Sequence, residues 1–339
     1  MYSLRLPDKI YFKKGCMPIA LDELKCIYNK TSAFIITDND LYHNGAVGPI
    51  ENKLNELNIR HICYFKIDST PDLSVIEEGA RAVQLFEPDV IIAFGSGAAI
   101  DAAKLMRLKY EYPDADLFKL SSDFNDITLR EKLFPKQGTK ALLVAVPDIS
   151  GNASEVSPYA VFFAENEEMS IADYELMPDI AVVDGDFMLM HTRDEAIKAG
   201  LNSLVRSINA YDSFNATEYT DGFVIEAVEN IFRYLPEVIE KGAEAPVSCE
   251  KLGEAVTMSA IAYSNTASII NVDDSAQYLA EIINTSAAES EEACSRYAEL
   301  GAALGLNGNN DSETVEKLVN KIKDLVILCG SENKQLLCS

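Results

Sequence analysis

The sequence predicts an α/β nucleotide-binding domain built on a mostly parallel sheet, followed by an all-α domain. Up to about residue 184, short runs rich in β-branched and aromatic residues alternate with helical patterns. Beyond that point the strand signals stop. A turn containing two glycines, GSGAAIDAAK at 95–104, joins one strand run to a helix. Near-continuous apolar strands separated by helices imply a parallel sheet covered on both faces. The expected domains are 1–185 and 186–339.

The strand runs are 33–37, 61–67, 90–94 and 141–146, each rich in Val, Ile, Ala and aromatic residues. Between the second and third, residues 73–86 place Val75, Ile76, Ala80, Val83, Leu85 and Phe86 at helical spacing. In the second half, Thr192-Arg193-Asp194-Glu195 has the form of a capping box, which opens a helix running towards Tyr211. Residues 219–239, 249–270, 291–304 and 312–328 are also helical by periodicity, with breaks at Pro246 and at Gly308-Asn309-Asn310.

A chain of 339 residues with 48% apolar content can bury a large core. Its 54 acidic and 29 basic residues give a net charge of −25, which repels nucleic-acid phosphates and anionic lipid surfaces. The sequence therefore predicts neither nucleic-acid nor membrane partners. Seven cysteines without a C-x-x-C pair fit a reducing compartment, so a cytoplasmic location is expected. The opening MYSLRLPDKIYF lacks the apolar core of a secretory leader, and no uncharged apolar run approaches the roughly 18 residues that span a bilayer.

Chemistry is concentrated at a few positions. Gly95, Ser96 and Gly97 follow a strand run and open a helix, the arrangement in which backbone N–H groups face a pyrophosphate. Ile100 stands where a third glycine completes the dinucleotide fingerprint, and a plain strand-to-helix turn is the competing reading. Asp38 ends the first strand run; its carboxylate either accepts from ribose hydroxyls, favouring NAD over NADP, or belongs to an ordinary Asp-Asn-Asp turn. Ser150 and Ser154 have no histidine near them in sequence, so turn formation outweighs nucleophilic catalysis. His43, His61 and His191 are read as structural, and the acidic residues Asp273, Asp274, Glu281 and 289–292 as a solvated face rather than a new metal site.

Four blocks carry a family resemblance: LPDKIYFKKGCMPIALDEL at 6–24, the 95–104 turn, VPDISGNASEVSPYAV at 146–161 and MPDIAVVDGDFMLMHTRDEAIKAGLNSLVRSINAY at 177–211. Together they resemble the iron-containing alcohol dehydrogenases, in particular the alcohol dehydrogenase half of bifunctional aldehyde-alcohol dehydrogenases. The resemblance implies the dehydroquinate synthase-like fold and NAD-dependent interconversion of alcohols and aldehydes. It places Asp101 and Lys104 beside Gly95, Ser96 and Gly97 in the cofactor site, and adds Ser150 and Gly151 from the second block. Weak NAD binding is implied, because Ser96 and Ala98 replace residues of the family pattern and Asp148 brings a carboxylate near the phosphates.

The resemblance also locates the family's metal ligands, an aspartate and a histidine four residues apart on the first long helix of the second domain. Asn202 and Arg206 occupy those positions, and no histidine follows His191, so no iron or zinc is expected. Resemblance resumes at RYAELGAALGL, 296–306, after a gap, which implies loss of the segment bearing the last histidine ligand and a chain that stops short of the family's final helices. The leading expectation is a metal-free pseudoenzyme that retains nucleotide binding and forms a homodimer through its N-terminal strand or associates with an active paralogue. The alternative is an active NAD-dependent alcohol dehydrogenase in which Arg206 is the electrophile; a product without a selected role is the third. Arg206 is expected either to pair with Asp273 or Asp274 or to reach solvent.

Overall fold

The computed structural model describes residues 4–122, 134–148, 153–266 and 276–330. Among them the chain forms two compact units, 4–191 and 192–330. The first unit runs β1 (Lys9–Phe12), α1 (Met17–Cys26), β2 (Ser32–Asp38), α2 (Asn39–His43), α3 (Gly48–Glu56), β3 (Arg60–Ile67), α4 (Leu73–Phe86) and β4 (Val90–Gly95). It continues through α5 (Gly97–Glu111), α6 (Leu117–Ser122), β5 (Leu142–Pro147), β6 (Tyr159–Ala164), β7 (Glu167–Ala172) and β8 (Ile180–Val183).

Six strands form one parallel sheet in the order β1-β8-β5-β4-β2-β3, and β6 and β7 form a separate antiparallel hairpin. The expected α/β class is what the molecule shows. β4 is buried along its whole length because both faces are covered. On one face Ile91 and Ala93 pack with Ile76 and Val83 of α4 and with Ile100 and Leu105 of α5. On the other, Val90, Ile92 and Phe94 pack with Leu21 and Leu24 of α1 and with Ile50 and Leu54 of α3. Each such fully buried aliphatic side chain contributes about 1.5–3 kcal/mol of transfer free energy. Helices α4 and α5 cross closely at Gly79, where a Cβ would stand 2.2 Å from Met106 Cε.

The second unit comprises α7 (Arg193–Tyr211), α8 (Glu218–Lys241), α9 (Pro246–Thr266), α10 (Leu279–Glu289), α11 (Glu291–Ala303) and α12 (Asp311–Gly330). The capping box read at Thr192 is present: its hydroxyl accepts from Glu195 N, and the Glu195 carboxylate accepts from Thr192 N at 2.7 Å. Helices α7, α8 and α9 pack on one another, as do α10, α11 and α12. Arg296 of α11 is fixed by Tyr211 O at 2.7 Å and by Asp221 at 2.9 Å. No helix among the described residues is long and apolar enough to cross a membrane.

Candidate functional site

The sheet order defines where a ligand fits. From β2 the chain proceeds outward to β3, whereas β4, β5 and β8 are laid down in turn on the other side of β2. The direction of winding therefore reverses between β2 and β4. In open parallel sheets the crevice beyond the carboxyl ends of two such strands is the ligand position.

Asp38 ends β2 and Gly95 ends β4, and the register Thr37↔Phe94 sets them side by side. Between the Ile36↔Tyr64 and Asp38↔Ile67 pairs the β2–β3 register shifts, with an extra residue on β3 at the edge of this crevice. Gly95 has φ +117, and a Cβ there would stand 2.1 Å from Asp38 Oδ2 and 2.5 Å from Leu41 Cδ1. Only glycine combines that backbone conformation with such an approach. Ser96 is the N-cap of α5, its hydroxyl accepting from Ala99 N at 3.4 Å. Its N–H also donates to Asp38 Oδ2 at 2.8 Å and its hydroxyl to Asp38 Oδ1. Burial pushes the Asp38 carboxyl above its ordinary range, against the opposing pull of the two Ser96 donors. From the far side, Asp148 N donates to Gly95 O at 3.1 Å, which brings residue 148 next to the turn.

Asp101 and Lys104, which the resemblance assigns to the cofactor site, lie about one and two turns further along α5 and are turned inward. Lys104 Nζ donates to Ser157 O at 3.0 Å and to Tyr159 O, while Asp101 Oδ2 accepts from Val161 N at 3.0 Å. Burial is the largest influence on both, pushing the Asp101 carboxyl up and the Lys104 ammonium down, and their mutual attraction opposes it. The pair thus pins the backbone of 157–161 to α5. Ser150 and Gly151 lie outside the described residues, as do Asp273 and Asp274.

In the second unit, Asn202 and Arg206 sit one turn apart on α7, with Asn202 half-buried and Arg206 8% exposed. Their chemistry does not suit a divalent cation. A carboxamide oxygen is a far weaker ligand than a carboxylate, and a guanidinium has no lone pair and a permanent positive charge. Among the described residues no group of three or more His, Cys, Asp or Glu is gathered to hold a metal ion. His61 Nδ1 lies 3.2 Å from Ile59 O and His191 Nδ1 faces Met188 O, whereas His43 is exposed with its ring edge on Phe65.

One constellation escaped the sequence reading. Glu111, the last residue of α5, accepts from Gly138 N, Thr139 N and Oγ1, Lys140 N and Ala141 N at 3.0–3.4 Å. Arg107, 2% exposed, donates to Ala141 O at 3.1 Å and to Asp179 Oδ2 at 2.7 Å. These residues fix the entry of β5 at the end of the sheet opposite the crevice. An Arg and a Glu at i, i+4 look like an ordinary helix-surface pair, so nothing local in the sequence signals the loop they hold.

A parallel α/β unit with a glycine turn at its switch point, together with a separate helical unit, defines a dehydrogenase-like two-unit protein. The chain belongs to the iron-containing alcohol dehydrogenase family. Residues 7–185 match the family described as iron-containing alcohol dehydrogenase, and residues 196–271 its C-terminal part. The aldehyde-alcohol dehydrogenase of Clostridium acetobutylicum is 35% identical over 354 positions, covering 96% of this chain and 41% of that protein. The bifunctional aldehyde-alcohol dehydrogenase AdhE of Escherichia coli K12 is 37% identical, covering 77% of this chain and 29% of that protein. This chain therefore spans less than half the length of either relative. The iron-containing alcohol dehydrogenase of Thermococcus thioreducens superposes with a TM-score of 0.85 at 25% identity, covering 97% of this chain and 86% of that one.

Proposed function

We propose that this chain binds NAD(H) at the β2–β4 crevice and is a pseudoenzyme of its family, catalytically impaired because α7 does not hold the family's metal ion. The observation that carries this reading is the buried guanidinium of Arg206 one turn from Asn202. A fixed positive charge repels a divalent cation at any pH at which the protein folds. Three features of the α/β unit support dinucleotide binding: the switch-point crevice, Gly95 in the left-handed region, and a carboxylate at the end of β2. NAD, when bound, supplies the hydride acceptor. The chain's own contribution is the turn at Gly95 to Gly97 for the pyrophosphate and Asp38 for the ribose.

In family members a Lewis acid polarises the substrate oxygen. Asn202 and Arg206 provide no ligand set for one, so binding is retained in this reading while turnover is lost. A reducing, cytoplasmic setting suits the six described cysteines, all free thiols. Association with a second copy or an active paralogue is the role left to a chain that binds cofactor without turning it over.

Elemental analysis of the purified protein together with calorimetric titration of NADH tests the reading. NADH binding with less than about one-tenth of a metal ion per chain is the expected result. Iron or zinc at one per chain, with alcohol-dependent NAD reduction, would overturn it. Turnover in the demetallated protein that is abolished by Arg206→Gln would instead make Arg206 the electrophile.

A further inference from the structure

The Asp38 carboxylate at the mouth of the β2–β4 crevice is held by a single residue of the opposite wall. Ser96 supplies two donors to it, its N–H to Oδ2 at 2.8 Å and its hydroxyl to Oδ1. The same hydroxyl caps α5, its oxygen accepting from Ala99 N at 3.4 Å while its proton goes to Asp38. The hold depends on Gly95, since any side chain there would occupy the position of Asp38 Oδ2. A carboxylate has about four acceptor positions and Ser96 uses two of them, one on each oxygen. Acceptor capacity is left for a ligand, while rotation of the carboxylate is blocked at both oxygens.

That restraint bears on which dinucleotide the crevice accepts. A carboxylate at the end of this strand accepts from a ribose 2′-hydroxyl and repels a 2′-phosphate. An aspartate free to rotate escapes the repulsion by swinging into solvent. One tied at both oxygens escapes only by giving up two hydrogen bonds, both of them to the charged group. We propose that Ser96 is a positioning residue that holds Asp38 against the 2′-phosphate and so sets the preference for NADH over NADPH. The inference rests on the reading that the crevice binds NAD(H).

The test is calorimetric titration of the full chain with NADH and with NADPH, comparing wild type with Ser96→Ala, Ser96→Gly and Ser96→Thr. Removing the hydroxyl in Ser96→Ala or Ser96→Gly should lower the ratio of the NADPH to the NADH dissociation constant about tenfold, the scale of one hydrogen bond to a charged group. The change should come chiefly from tighter NADPH binding. Ser96→Thr, which keeps a hydroxyl, should retain the wild-type ratio. A merely structural role for Ser96 would weaken both dinucleotides equally. Ser96→Gly keeps a residue well suited to a helix N-cap, so the comparison survives if Ser96→Ala fails to fold. A carbon-detected NMR titration of Asp38 in the ligand-free protein gives an independent readout, since loss of a donor to the carboxylate should raise its midpoint in Ser96→Ala. Wild type that binds NADH, with an unchanged ratio in both hydroxyl-free variants, overturns this inference alone. Wild type that binds neither dinucleotide overturns it together with the reading beneath it.

Discussion

Lys104 Nζ stands 3.6 Å from Asp101 Oδ1, with Lys104 1% and Asp101 8% exposed, so a charge pair is enclosed between α5 and the backbone of 157–161. Both groups gain partners: the ammonium has the carbonyls of Ser157 and Tyr159, and the carboxylate has Val161 N. Lys104→Met should leave Asp101 buried without its cation. A loss of about 3–5 kcal/mol of unfolding free energy is expected in urea, with part of it recovered in Lys104→Met with Asp101→Asn. A loss below about 1 kcal/mol would show that water reaches the pair.

Glu111 gathers five donors from 138–141 and has a fully buried side chain. Glu111→Gln keeps the shape but removes the charge and turns an N–H-bearing group towards N–H donors. It should destabilise the α/β unit by about 2–4 kcal/mol, read as a lower denaturant midpoint with an unchanged slope.

Placing the family's two ligand types on the α7 face should not by itself create metal-dependent turnover. Asn202→Asp with Arg206→His puts a carboxylate and an imidazole one turn apart, the spacing at which two ligands chelate. A two-ligand site lacks the closed set that fixes a catalytic cation, so the double variant should gain no metal-dependent alcohol oxidation. Metal-dependent turnover above the wild-type background in added zinc or ferrous iron would refute this.

The inner parallel strands were legible because burial on both faces makes them continuous apolar runs: 33–37, 90–94 and 141–146 lie within or overlap β2, β4 and β5. The run 61–67 falls in the edge strand β3, which is only partly buried and was legible from its β-branched and aromatic residues instead. The β6–β7 hairpin was missed for a physical reason. Its two-residue turn is Glu165 at φ 52 and Asn166 at φ 65, both left-handed, whereas the usual signal for that turn is Asn-Gly or Asp-Gly. β1 lies within the N-terminal strand read from the sequence, whereas β8 was passed over because it has only 4 residues. At the candidate site, Gly95 and Asp38 could be read singly. Their approach, and the use of Ser96 to hold Asp38, depend on the β2–β4 register, which no local pattern encodes. The inward turn of Lys104 was equally hidden, since its partners lie more than 50 residues away along the chain.

Alkaline pH should weaken the fold from about pH 9 upward. Burial raises Cys63 to about 12 and Cys329 to about 11, above the thiol's ordinary 9.0, and raises Tyr64 and Tyr211 to about 12, above 10.0. The native state thus keeps protons that the unfolded chain releases first. The stability these groups contribute is complete below their unfolded values and is lost as pH rises through the folded ones. Urea midpoints compared at about pH 8 and pH 10.5 should fall at the higher pH. In the native protein at pH 8, exposed Cys26 should alkylate well before Cys63 or Cys329. Equal rates would show that neither half-buried Cys63 nor buried Cys329 is shielded from solvent.

The pairing of β1 with β8 governs the order in which the α/β unit can be assembled. Lys9 is opposite Ile180, so the earliest strand of this unit has its hydrogen-bonding partner about 170 residues later. β2, β3 and β4 can pair among themselves as soon as they are synthesised, because their connections are short. β1 has no strand to join until β8 is complete, and until then it is an unpaired template for any other edge it meets. The β1–β8 pairing is consequently the most non-local in this sheet, the kind of contact whose closure slows folding. A chaperone that shields residues 9–12 during synthesis would protect the nascent chain at its point of greatest exposure to misassembly.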